Sequence, residues 1–322
     1  MSNTSLTKNI APNRKLSRFN ITLLINKIGS NRKLALFLIC LPGLLHFAIF
    51  KYIPLFGNII VFQKYDIFKG IFGSQWVGFL HFKNMFSLYD FYHLLKNTLI
   101  ISFYRLFFSF PAPIILALFL NEIRHMLFKR TIQTLLYFPH FLSWVIVGGI
   151  FYQLLDPQGI INDLLAWFGM DRIIFLQDSR FFRAIVVSSA IWKEVGWGMI
   201  LYLAAIAGIN PNIYEAATVD GANRWKQMWY ITLPSLMPTL VILLLLRIGH
   251  ILDTGVEEML IYANSLNRNV ADVFDVYIYR VGIQGAQYSY TTALGFFKAV
   301  VGLILIFGMN KLAKRVTGES IY

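Results

Sequence analysis

The chain has 322 residues, 57% of them hydrophobic and only 14% charged, with a formal net charge of +13 and a mean hydropathy of +0.59. Soluble domains carry about a quarter charged residues, so an ordinary soluble enzyme or binding module is excluded. Several apolar runs near the roughly 20 residues that cross a bilayer predict an integral membrane protein. Nucleic acid is no partner for the positive charge, because the cations cluster in short loops beside apolar runs, where topology explains them. The one cysteine, Cys40, rules out an internal disulfide and lies in an apolar run. Phe37-Leu38-Ile39 before it lacks the small residue of a lipoprotein cleavage site.

In chain order, residues 1–33 form a polar, basic segment with Lys8, Arg14, Lys15, Arg18, Lys27, Arg32 and Lys33. It includes an amphipathic stretch, Phe19–Ile28, suited to a membrane surface. A cleaved signal peptide is the competing reading; no Ala-x-Ala site follows the apolar run, which favours retention as an anchor. A transmembrane domain is expected over 34–315. Its spans are 34–61, with bends at Pro42 and Pro54, then 97–120, 134–155, 181–207, 233–252 and 291–309. Between the first two, the aromatic-rich stretch 62–96 belongs at the membrane–water boundary. Asp156-Pro-Gln-Gly159 marks a turn and 160–180 a short amphipathic segment. Residues 316–322 remain as a tail. The fold class is all-α and polytopic with six transmembrane helices. Six spans put both termini on one side with Arg124, Lys129, Arg130, Arg224 and Lys226, and the positive-inside rule makes that side cytoplasmic.

The polar stretch 210–232 interrupts two long apolar runs. Asn210 suits an N-cap, Pro211 the first helical position, and Gly221 the left-handed residue that stops a helix. Glu215, Ala216, Ala217, Asp220 and Arg224 make the segment soluble, while Ile213, Tyr214, Val219 and Trp225 give it an apolar side. A short exposed helix with one apolar side is built to dock a partner.

Glu215-Ala216-Ala217, Gly221 four residues later, then Ile231 and Leu233-Pro234 resemble the EAA loop of permease subunits of bacterial ABC importers, and the match implies the type I importer permease fold. Trp76-Val-Gly-Phe-Leu-His-Phe82, Asn97-Thr98, Trp192-Lys-Glu-Val-Gly-Trp-Gly198, Tyr202-Leu-Ala-Ala205, Asp272-Val-Phe-Asp-Val-Tyr277 with Tyr279-Arg280, and Tyr288-Ser-Tyr-Thr-Thr-Ala293 are similar to its oligosaccharide and polysaccharide branch. The likeness leans toward importers of acidic oligosaccharides of the alginate type, with Arg247 and Val256-Glu-Glu-Met259 departing from the usual pattern. It implies that Tyr214, Glu215, Ala216, Ala217, Asp220, Gly221, Arg224, Ile231, Leu233 and Pro234 form a coupling loop for an ATPase dimer. It also implies a second homologous permease and an extracytoplasmic solute-binding protein. ATP and Mg would then be held by the partner ATPase, with no cofactor on this chain, which has no Gly-x4-Gly-Lys-Ser/Thr phosphate loop.

Charges inside the apolar runs are the other signal. A central Arg or Lys costs about 2.5–3.5 kcal/mol on insertion scales, so Arg105, Lys193, Glu194, Arg247 and Lys298 should face protein or water. Two readings stand side by side: buried pairs, Arg247 with Asp253 or Glu257, or a substrate pathway. The pathway candidates are Lys193, Glu194, Arg247 and Lys298 with Trp192, Trp197, Tyr202 and Tyr288, the aromatics able to stack on sugar rings. Cations along the path suit an acidic sugar. The histidines, His46, His81, His93, His125, His140 and His250, show no metal-ligand spacing. Rival classes are a secondary transporter without ATPase partners, a permease for another solute class, and a membrane-embedded transferase, which would need a cluster of acid/base residues at one depth.

Overall fold

The computed structural model describes residues 32–318; the basic segment 1–31 with its amphipathic stretch, and residues 319–322 of the tail, lie outside the described residues. Two compact units are distinguished, one ending at Asn58 and the other beginning at Ile59. The first carries α1 (Arg32–Phe47), continued by a π turn at Ala48–Tyr52 and a helical turn at Ile53–Gly57. The run Lys33–Phe62 is long and apolar enough to cross a membrane.

The second unit opens with a two-stranded antiparallel ribbon, β1 (Gln63–Lys64) on β2 (Gln75–Trp76), and then α2 (Leu80–Ser87). Next, α3 (Tyr89–Tyr104) passes through a π turn at Arg105–Ser109 into α4 (Pro111–Glu122). Pro111 sits at a first helical position, where its missing N–H goes unnoticed. α5 (Met126–Tyr137) and α6 (Trp144–Leu155) follow, then α7 (Ile160–Trp167) and the long α8 (Ser179–Ala207). α9 (Pro211–Val219) and α10 (Arg224–Gln227) precede a π turn at Met228–Thr232 and α11 (Leu233–Gly249). Short helices α12 (Val256–Tyr262), α13 (Arg268–Ala271) and α14 (Phe274–Tyr277) lead to α15 (Tyr288–Thr317).

Among the described residues five helices are long and apolar enough to span, and six if the bent pair Met126–Phe141 and Trp144–Trp167 counts as one. That pair corrects the sequence expectation of a straight span over 134–155, because its halves are bent by 106°. The physical cause is local. Pro139 has no N–H to give, and the Ser143 side chain restarts the helix by accepting from the Ile146 N–H at 3.4 Å. The second span is longer than expected, reaching back to Tyr89. The polar stretch 210–232 is also less loop-like than expected, since the chain is helical from Arg224 onward into α11.

α8 is the axis of the second unit. Tail-to-tail hydrophobic burial drives little association inside a bilayer, so close approach at small residues matters more. A Cβ at Gly196 would collide with the Leu136 carbonyl at the end of α5, and only glycine lets these helices meet there. One side of α8 packs Met199, Tyr202 and Ile206 against Ala117, Leu120 and Leu236. Its start packs Phe182, Ile185 and Val186 against Met259, Tyr262 and Val273. The segment after α11 is laced to α3: Asn97 donates to the carbonyls of Asn269 (2.9 Å) and Asp272 (3.1 Å), and Thr98 accepts from the Phe274 N–H at 3.1 Å.

Candidate functional site

Two regions carry the polar residues singled out in the sequence. The first is a cleft of about 620 Å³ between the π turn at 105–109, α8, α11 and the start of α12. Arg105, Glu194, Trp197, Tyr202, Arg247 and Glu258 line it, with Trp144, His250 and Asp253.

The charges of the cleft are mostly matched. Arg105 is buried and donates from Nη2 to Glu258 Oε2 at 2.5 Å and from Nη1 to the Thr254 carbonyl at 2.6 Å. Asp253 accepts from Lys298 Nζ at 2.8 Å and meets His250 Nδ1 at 3.0 Å. Burial opposes ionisation of Asp253, but those bonds outweigh it and hold its carboxyl below the ordinary carboxylate range. Lys298 also reaches Asp275, whose carboxylate accepts from the backbone N–H of Thr254 at 2.7 Å and of Gly255 at 3.2 Å. Glu194 meets His140 Nδ1 at 2.8 Å, and the His140 ring lies flat on Trp197 with centroids 4.5 Å apart. Arg247 stands apart. It is exposed to the cleft, and among the described residues its guanidinium has no hydrogen-bond or ion-pair partner. Neither Asp253 nor Glu257, the partners considered from sequence, takes it.

Of the pathway candidates, Glu194, Trp197, Tyr202 and Arg247 are brought together in the cleft. The others lie elsewhere. Lys193 is buried and donates to the carbonyls of His140 (2.6 Å) and Leu142 (2.8 Å), clamping the bend between α5 and α6. Lys298 holds Asp253 and Asp275. Trp192 packs against Phe151, and Tyr288 lines a separate recess beside Tyr65 and Lys64. Trp144 was not picked out from sequence, and Glu258 was marked only as part of Val256-Glu-Glu-Met259.

The second region is the elbow at α9 and α10. The Asn210 side chain accepts from the Asn212 N–H at 3.1 Å, Pro211 occupies the first turn, and Gly221 has φ +79°. Glu215, Ala216 and Asp220 are exposed and Ala217 is half-buried. Val219 and Trp225 are 87% and 60% exposed, so among the described residues this apolar side is largely uncovered, with Phe119 meeting only the Trp225 ring edge-on. The elbow is nonetheless braced at its base. Tyr214 shares a hydrogen bond with Thr232 at 2.9 Å, and Gln227 donates to Thr218 Oγ1 at 3.0 Å. Arg224 reaches the carbonyl and carboxylate of Glu122, at 3.2 and 3.3 Å, on the end of α4. Ile231 and Leu233 are half-buried and Pro234 exposed where the elbow enters α11. These bonds tie the elbow to α4 through Arg224 and to the turn before α11 through Tyr214.

Residues 109–318 match the family described as binding-protein-dependent transport system inner membrane component. The chain is 49% identical to the protein LplB of Bacillus subtilis, over 89% of this chain and 91% of that one. It is also 49% identical to the polygalacturonan/rhamnogalacturonan transport system permease protein YteP of the same organism, over 89% of this chain and 90% of that one. Its fold is similar to a chain in the crystal structure of a bacterial alginate ABC transporter in complex with an alginate pentasaccharide-bound periplasmic protein. That match has a TM-score of 0.82 and 41% identity, and covers 92% of this chain and 99% of the other.

Proposed function

Since the chain belongs to the family of binding-protein-dependent transport system inner membrane components, we propose that it is one of two permease subunits enclosing the path of an ATP-driven importer of acidic oligosaccharides. The chain is a multi-pass permease of the inner membrane. A solute-binding protein delivers the cargo from outside, and a separate ATPase dimer, holding ATP and Mg, works from the cytoplasm, where both termini and the elbow lie. The carbohydrate and its acidity are supported by the polygalacturonan/rhamnogalacturonan permease and by the alginate transporter.

The observation that carries this reading is the elbow: a capped, exposed helix bearing Glu215-Ala216-Ala217, with an uncovered apolar side and braces to two spans. Closure of the ATPase on ATP would move α9 as a lever, shifting α4 and α11 against α8 and switching the cleft between outward and inward access. Such coupling is reciprocal in binding, so delivery of cargo favours the closed, ATP-bound state of the ATPase.

The test is affinity purification of the tagged chain from native membranes, followed by reconstitution in vesicles. The account expects a nucleotide-hydrolysing subunit and a second permease to accompany it, and uptake to require ATP. Uptake by the chain alone, driven by an ion gradient, would mark a secondary transporter instead.

A further inference from the structure

Among the described residues the cleft holds three acids and each has a basic partner: Glu258 meets Arg105 through Oε2 while its buried Oε1 bonds nothing, Asp253 meets Lys298 and His250, and Glu194 meets His140. Arg247 projects from the last turn of α11 into the same space. Arg105, Glu258 and Asp253 are the charges that act on it, yet among the described residues none is bonded to it. A permanently charged guanidinium inside a span needs an anion or water to face. Its five donors form a fixed fork that matches a carboxylate edge-on. The aromatic walls, Trp144, Trp197 and Tyr202, offer faces for sugar rings beside it.

We infer that Arg247 is the specificity-determining residue of the cleft, donating to a carboxylate of the passing sugar, while the Arg105–Glu258 pair keeps a second guanidinium from competing. The inference rests on the carbohydrate-importer reading above and adds the atom that reads the cargo's charge.

The experiment uses the whole importer in liposomes with its binding protein saturated, saturation being measured separately for each sugar. The probes are alginate and galacturonate oligosaccharides, each beside its carboxyl-reduced, neutral counterpart. Arg247→Gln should lower initial uptake of the uronate sugar about tenfold, the loss of one charged hydrogen-bond set, and leave the neutral counterpart within about twofold of wild type. Arg247→Lys, which keeps the charge and loses the fork, should fall between. If Arg247→Gln lowers both sugars together, the arginine pairs with an acid of the second permease and the inference is overturned. It is equally overturned if neither sugar responds. Should the wild type carry none of the four probes, the carbohydrate reading itself falls, and the inference with it.

Discussion

The elbow and the cleft are built by opposite means. The contacts that set the ends and turns of α9 join residues a few positions apart: Asn210 caps Asn212, Thr218 bonds back to Tyr214, and the Ala222 N–H closes on the Ala217 carbonyl at 2.8 Å. The cleft is held by bonds between distant parts of the chain, Arg105 to Glu258 and Lys298 to Asp253 among them. One region is therefore exposed and its helix locally determined, with two braces at its base. The other is buried and collective. Damage to the cleft should appear as lost stability, and damage to the elbow as lost coupling in a folded protein.

The sharpest way to break that contrast is at the buried pair. Glu258→Ala strands the Arg105 guanidinium, and removing one partner of a buried pair costs about 3–5 kcal/mol; thermal unfolding of the purified importer should show the largest drop of any variant here. Arg105→Leu combined with Glu258→Leu should recover much of the loss, since no charge is left stranded. Next comes Lys193→Met, which removes two charge-assisted bonds from the bend at residues 138–143 and should cost about 1.5–3 kcal/mol by the same measurement.

Changes at the elbow should move stability less and transport more. Gly221→Asp meets no steric obstacle, but asks a non-glycine residue to hold φ +79°, at about 1–2 kcal/mol. That variant should insert and assemble, yet lose ATP-dependent uptake in vesicles. Asn210→Ala is the mildest: loss of the cap costs about 1 kcal/mol, and uptake should decline only partly. Normal transport by Gly221→Asp would mean that the elbow is not the coupler.

The same division governs what was legible in the sequence. Cap, proline and left-handed glycine lie within 12 residues of one another, from Asn210 to Gly221, so α9 could be placed before any fold was known. Hydropathy likewise located the long apolar runs, though not their ends: the second span begins at Tyr89 because polar Asp90 and His93 sit in a helix whose other face is buried. The break at Pro139 was missed, although Pro139, His140 and Ser143 interrupt the apolar run there. That the charges inside the apolar runs would be paired was one of the two readings, but their partners were not legible. Arg105 and Lys298 stood out as charges inside apolar runs, but their partners, Glu258, Asp253 and Asp275, come from the segment after α11 that folds back onto α3 and α15. No local pattern announces such a partner. Arg247 shows the converse, since its position suggested a pair and none is found among the described residues.

The most direct test of the elbow as the motor's handle uses the chain's single cysteine to advantage. With Cys40→Ala as background, Glu215→Cys should crosslink in native membranes to a nucleotide-hydrolysing subunit, and the yield should change when ATP is bound. The contradictory result is labelling of that cysteine by a membrane-impermeant maleimide added to intact cells, with no crosslink to any such subunit.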